Sequence, residues 1–147
     1  MKIAFGSDHA GFEDPGPHYK PELMAYLAAL GHEVVDCGTN GPDSVDYPDF
    51  AQNVCDAVLG GRADRGVLLC GTGIGISIAA NRNHGIRAAV CCTEEMARLA
   101  REHNDANVLC LGRRTTSLDE CKKLIDTWLT TDFSGNDRHQ RRVDKLG

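Results

Sequence analysis

Basic residues are not in excess: 16 Lys and Arg stand against 21 Asp and Glu, for a net charge of −5. That balance argues against general affinity for nucleic acid. No apolar run approaches membrane-spanning length. The start, Met1-Lys2-Ile3-Ala4-Phe5-Gly6, enters a strand pattern without the long apolar stretch of a secretory signal. The seven cysteines, Cys37, Cys55, Cys70, Cys91, Cys92, Cys110 and Cys121, form no Cys-x-x-Cys pair. An odd count set mostly in apolar periodic segments points to reduced, mostly buried thiols and gives zinc or disulfides little support. These absences predict a cytoplasmic protein with neither a nucleic-acid nor a membrane partner. No internal repeat or low-complexity segment interrupts the 147 residues, which fit one domain.

Two nucleotide signatures are missing as well. The stretch Val67-Leu68-Leu69-Cys70-Gly71-Thr72-Gly73-Ile74-Gly75-Ile76-Ser77 has Ile76 where a dinucleotide fingerprint needs its third glycine, and no Gly-Lys-Ser/Thr follows as in a P-loop. What it has is an apolar strand ending in a thiol, a loop of alternating glycines, and the start of a helix. Successive loop amides make an anion-binding concavity, and the positive end of the helix faces the same point. A thiolate is stabilised in such a place. Taken alone, the segment is equally a tight turn with a buried cysteine.

Short apolar runs alternate with helical patterns. Strands are predicted over Lys2 to Ser7, Glu33 to Cys37, Gly66 to Cys70, Ile86 to Cys91 and Asn107 to Leu111. Helical faces are predicted from Leu23, Leu27 and Leu30, from Phe50, Val54 and Val58, and from Met96, Leu99, Ala100 and His103. A further helix opens at the capping box Ser117-Leu118-Asp119-Glu120 and carries Cys121, Leu124, Ile125 and Trp128 on one side. The tail from Asp137 to Lys145 is locally basic. This alternation predicts an α/β fold with a five-stranded parallel sheet, starting in the order 2-1-3, between two helical layers. Ligands of such sheets bind outside the carboxyl ends of the strands. That rule selects the residues after Ser7, Cys37, Cys70, Cys91 and Leu111.

Five motifs carry a resemblance over nearly the whole chain. They are Gly6-Ser7-Asp8-His9-Ala10-Gly11-Phe12, Ser44-Val45-Asp46-Tyr47-Pro48-Asp49-Phe50, Cys70-Gly71-Thr72-Gly73-Ile74-Gly75-Ile76-Ser77, Arg101-Glu102-His103-Asn104-Asp105-Ala106-Asn107 and Arg138-His139-Gln140-Arg141-Arg142. In this order they resemble the type B ribose-5-phosphate isomerases, whose wider family includes allose-6-phosphate and galactose-6-phosphate isomerases. The resemblance implies a Rossmann-like three-layer sandwich and aldose-ketose isomerisation without a metal or other cofactor. It also implies a homodimer, in some members a tetramer, with active sites shared between subunits.

By that resemblance Cys70 is the base that carries a proton between C2 and C1 of ribose 5-phosphate. Thr72 and the amides of Gly71, Gly73 and Gly75 stabilise the enediolate, and His103 opens the furanose ring. Asp8, Tyr47 and Asn104 match hydroxyl-binding and positioning residues, while His9, Arg114, Arg138 and Arg142 match the phosphate site. Another branch of the family has serine at the Cys70 position and a glutamate base at the Ile76 position. This chain has the thiol and lacks the carboxylate.

The remaining histidines, His18, His32 and His84, are read as surface residues, His139 as structural, and Arg113 as a solvated extra charge. One departure stands out: Asp14 to Pro17 lengthens a loop that the family keeps short beside the site. Two other functions are weighed, a hexose-6-phosphate isomerase and a sugar-phosphate-binding module without chemistry. A cysteine redox or acyl-transfer enzyme lacks an evident resolving partner.

Overall fold

The structure, a computed structural model, describes residues 1–147. Five strands, β1 (Lys2–Ser7), β2 (Glu33–Asp36), β3 (Arg65–Cys70), β4 (Ala88–Val90) and β5 (Val108–Gly112), form one sheet in the order β2-β1-β3-β5-β4. All four pairings are parallel. The expected 2-1-3 start is present. Because β2 lies on one side of β1 and β3 on the other, the loops after β1 and β3 diverge and leave a crevice at the carboxyl edge.

Period-two alternation along the central strands sorts side chains between two cores. Ile3, Phe5, Val67, Leu69, Leu109 and Leu111 face α1 (Tyr19–Ala29), α4 (Glu94–Glu102) and α5 (Leu118–Thr130). Ala4, Leu68, Cys70, Val108 and Cys110 face α2 (Tyr47–Leu59) and α3 (Ile74–Ala80). The result is the three-layer sandwich. Truncating a wholly buried leucine such as Leu68 or Leu109 to alanine costs about 2–5 kcal/mol in such cores. The single tryptophan, Trp128, is wholly buried in the first core, with the guanidinium carbons of Arg65 and Arg101 5.3 and 5.9 Å from its ring. A last helix, α6 (Asp137–Leu146), is capped by Asn136 and buries His139 and Val143.

Helix ends follow from local chemistry. Ser117 and Glu120 form the predicted capping box of α5, and the Thr93 hydroxyl accepts from the Met96 N–H to start α4.

Several expectations shift. Helix α1 ends at Ala29, because the chain turns through Gly31 at φ +90°, and Leu30 is exposed. Helix α4 buries Ala97, Ala100 and Arg101 and leaves Met96 exposed. Arg101 is tolerated inside because its guanidinium donates to the Ala106 carbonyl at 2.7 Å and pairs with Asp105 at 2.8 Å. Strand β4 is shorter than predicted. The Asn81 side chain takes the place of a neighbouring strand there, bonding both the N–H and the C=O of Ala88 at 2.8 Å.

Candidate active site

The crevice beside β1 and β3 is a cleft of about 410 Å³ lined by Asp8, His9, Tyr47, Cys70, Gly71, Thr72, Ile74, Gly75 and Arg114. Each lining residue comes from a carboxyl-edge loop or a helix start. Cys70 ends β3, and its Sγ accepts the Gly73 N–H at 3.2 Å. That turn needs Gly73, whose φ of +80° is a conformation other residues rarely adopt. Thr72 Oγ1 accepts from the Ile74 N–H at 3.3 Å, which leaves the hydroxyl hydrogen free to donate. The thiol is only 4 % exposed, yet it borders the cleft.

Asp8 and His9 follow β1. The Asp8 carboxylate accepts the Ala10 N–H at 2.9 Å and caps a single 3-10 turn, His9–Phe12. Asp8 therefore both starts a turn and faces the cleft. Burial pushes its carboxyl above the usual range, against the opposing pull of the Ala10 N–H and of nearby His9 and Arg114. His9 Nδ1 accepts the Val45 N–H at 3.2 Å, so a neutral ring carries its proton on Nε2. Tyr47 begins α2 beside Gly75.

Arg114 is the exposed cation of the cleft. Its Nε and Nη2 grip the Glu13 carboxylate at 2.8–3.1 Å, which holds Glu13 below the ordinary carboxylate range. Arg113 is not the solvated charge expected. Its guanidinium carbon lies 4.5 Å from the Tyr19 ring centre, and Nη2 donates to the carbonyls of Glu13 and Pro15 at 3.4 and 3.0 Å. The lengthened loop is thereby clasped to the β5 end. His18, read as a surface residue, is half-buried and bonds Asp14 at 2.9 Å within that loop.

Five sequence candidates do not line the cleft: Gly73, whose N–H is turned to the Cys70 sulfur, and His103, Asn104, Arg138 and Arg142, which lie elsewhere. His103 caps the end of α4, which delivers the chain to the amino end of β5, whereas Cys70 pairs with Gly112 at its carboxyl end. At about 3.3 Å per residue, β5 separates the two edges by more than either side chain spans. His103 stands with His139, whose ring it stacks upon, while Arg138 and Arg142 lie exposed on α6. The candidates thus form two clusters at opposite edges of one sheet.

Sequence reading missed Glu13, which lies 101 positions from Arg114, and Ile74. An acidic side chain in a carboxyl-edge loop that also holds candidate phosphate ligands was the available signal for Glu13. No group of three or more His, Cys, Asp or Glu side chains is gathered as a metal site.

Comparisons with known proteins bear on the fold and the sequence as a whole. Ribose-5-phosphate isomerase B of Escherichia coli is 48% identical over 145 residues, which cover 99% of this chain and 93% of that one. A solved Clostridium thermocellum ribose-5-phosphate isomerase B superposes with a TM-score of 0.94 at 53% identity, covering 100% of this chain and 95% of its own. The Trypanosoma brucei type B ribose 5-phosphate isomerase gives 0.92 at 46% identity, covering 99% and 95%. The model of one family, described as Ribose/Galactose Isomerase, matches residues 3–146. With a family model matched along residues 3–146 and relatives about half identical over nearly the whole chain, the chain belongs to the Ribose/Galactose Isomerase family.

Proposed function

We propose that the protein interconverts ribose 5-phosphate and ribulose 5-phosphate, a step of pentose phosphate metabolism, in active sites shared by two copies of the chain. The carrying observation is Cys70, whose Sγ meets the Gly73 N–H at 3.2 Å in a cleft bordered by His9 and Arg114. His103 of the second copy passes the anomeric hydroxyl proton to the ring oxygen, opening the sugar. The Cys70 thiolate then takes the C2 proton, the C2–H electron pair forms C1=C2, and negative charge moves onto O1. Thr72 and the loop amides that Cys70 does not occupy meet that charge where it develops; losing one such donor costs about 3–4 kcal/mol of barrier in comparable sites. The thiol returns the proton to C1 while the O2 proton moves to O1 and the C2 carbonyl forms. One base serves both transfers, which a single face of the substrate requires.

His9 Nε2 and Arg114 supply half of a phosphate site, and Arg138 and Arg142 of the second copy supply the other half. Phosphate binding far from the reacting carbons then orients C1 and C2. A homodimer is supported by the apolar side chains beside the cleft: Ile74 and Ile78 on α3 are 56% and 61% exposed, and Tyr47 is also exposed. No helix is long and apolar enough to cross a membrane. We place the enzyme in the cytoplasm on the chemistry of its site, because a reducing milieu keeps Cys70 a free thiol.

The test is a coupled assay following ribose 5-phosphate to ribulose 5-phosphate with and without EDTA, for the parent and for Cys70→Ala. Turnover that survives EDTA and falls to background in the variant is expected. An unchanged rate in Cys70→Ala removes the thiol from the mechanism. Higher kcat/KM for allose 6-phosphate than for ribose 5-phosphate overturns the choice of substrate.

A further inference from the structure

Arg114 has two usable edges. The Nε and Nη2 edge is filled by the Glu13 carboxylate, and Glu13 stands outside the cleft that Arg114 lines. The other edge carries Nη1, and the guanidinium lies flat over Gly71, where a β-carbon would come 2.9 Å from Nη1 and 3.2 Å from Cζ. An arginine with no side-chain partner samples many rotamers, whereas one gripped through a fork presents its remaining N–H groups in a fixed direction. The grip is secured from behind, since Arg113 holds the Glu13 and Pro15 carbonyls and stacks on Tyr19.

We propose that Glu13 is a positioning residue: it holds Arg114 over Gly71 so that the outward guanidinium edge faces the cleft and grips the substrate's phosphate. This rests on the reading of Arg114 as a phosphate ligand. Glu13 touches no substrate and acts through Arg114 alone. It does not compete with the phosphate, because fork and phosphate use different N–H groups.

Titration calorimetry with inorganic phosphate tests this without relying on turnover. Glu13→Ala is expected to weaken phosphate binding about tenfold. Glu13→Gln, which keeps one accepting oxygen, falls between that variant and the parent. In the assay, KM for ribose 5-phosphate rises in parallel while kcat stays within about twofold. In an Arg114→Met background, Glu13→Ala adds nothing further, as a residue acting only through Arg114 requires.

Tighter phosphate binding in Glu13→Ala makes Glu13 a competitor and overturns the proposal. Unchanged binding, or an equal loss in the Arg114→Met background, overturns it as well by reducing Glu13 to a bystander or a loop anchor. A parent protein that binds phosphate through the Glu13-oriented Arg114 yet turns over no ribose 5-phosphate strikes the proposed reaction and leaves the positioning role standing.

Discussion

The ring of His139 lies flat against the ring of His103, with centroids 4.1 Å apart and planes 12° from parallel. Burial holds His139 below its ordinary pKa, reinforced by His103, Arg138 and Arg142 and opposed by Glu102. A depressed histidine pKa means that the unfolded chain binds the proton more readily. The contribution to stability is therefore present above the unfolded value and lost as pH falls through the folded one. Thermal unfolding midpoints at fixed protein concentration are predicted to fall between about pH 7 and pH 5. His139→Phe, which keeps a stacked ring and removes the titration, flattens that slope. Identical slopes in both proteins refute the assignment.

Thiol chemistry distinguishes Cys70 from its neighbours. Burial pushes Cys55 to about 11 and Cys91 and Cys121 to about 12, and Cys110 well above the ordinary value, so these four remain protonated and unreactive. Iodoacetamide at neutral pH is predicted to label exposed Cys92 and cleft-lining Cys70. Ribose 5-phosphate protects Cys70 alone. Mass spectrometry of the labelled peptides reads this out, and protection of Cys92 instead contradicts it.

Asp8 illustrates a stability cost retained at a candidate site. Its pKa is raised by burial, so its contribution to stability is present below the unfolded carboxylate value and is lost as pH rises through the folded one. Asp8→Asn keeps an oxygen for the Ala10 N–H and removes the buried charge. The variant is predicted to unfold at a higher temperature than the parent at neutral pH, with kcat/KM lowered by about tenfold or more. Calorimetry and the coupled assay together check both halves, and a variant that is neither more stable nor slower disproves the role.

The two clusters also make a complementation experiment decisive. If two copies share each site as proposed, Cys70→Ala and His103→Ala are each predicted to be inactive on their own. Mixing them after gentle dissociation gives heterodimers in which one site has both wild-type residues and the other has neither. Random pairing restores about a quarter of parental activity, since half the dimers carry one working site of two. No recovery, with heterodimers verified by mass, excludes shared sites.

The gathering of Asp8, His9, Cys70, Thr72 and Arg114 was legible because each lies just beyond an apolar run, and parallel sheets collect such ends along one edge. Helix phase was less legible. Met96 reads as core by its chemistry, but α4 packs close through small Ala97 and Ala100, and Arg101 is drawn inside by oxygens of Ala106 and Asp105. The separation of His103 from Cys70 is topological: motif order along a chain does not say which sheet edge a helix end returns to. Glu13 was only faintly legible, by its place in a carboxyl-edge loop, and its pairing with Arg114 was not legible at all. Its partner lies 101 residues away, and a single long-range ion pair leaves no periodicity in the sequence.

The buried indole between Arg65 and Arg101 gives the molecule an intrinsic optical reporter. Trp128 belongs to the layer packed by α5, while the thiol and its glycine loop border the opposite layer. Its emission will follow the melting of one half of the sandwich and stay silent when sugar phosphate docks. Fluorescence and ligand calorimetry will therefore separate collapse of the scaffold from occupancy of the cleft in every variant considered above.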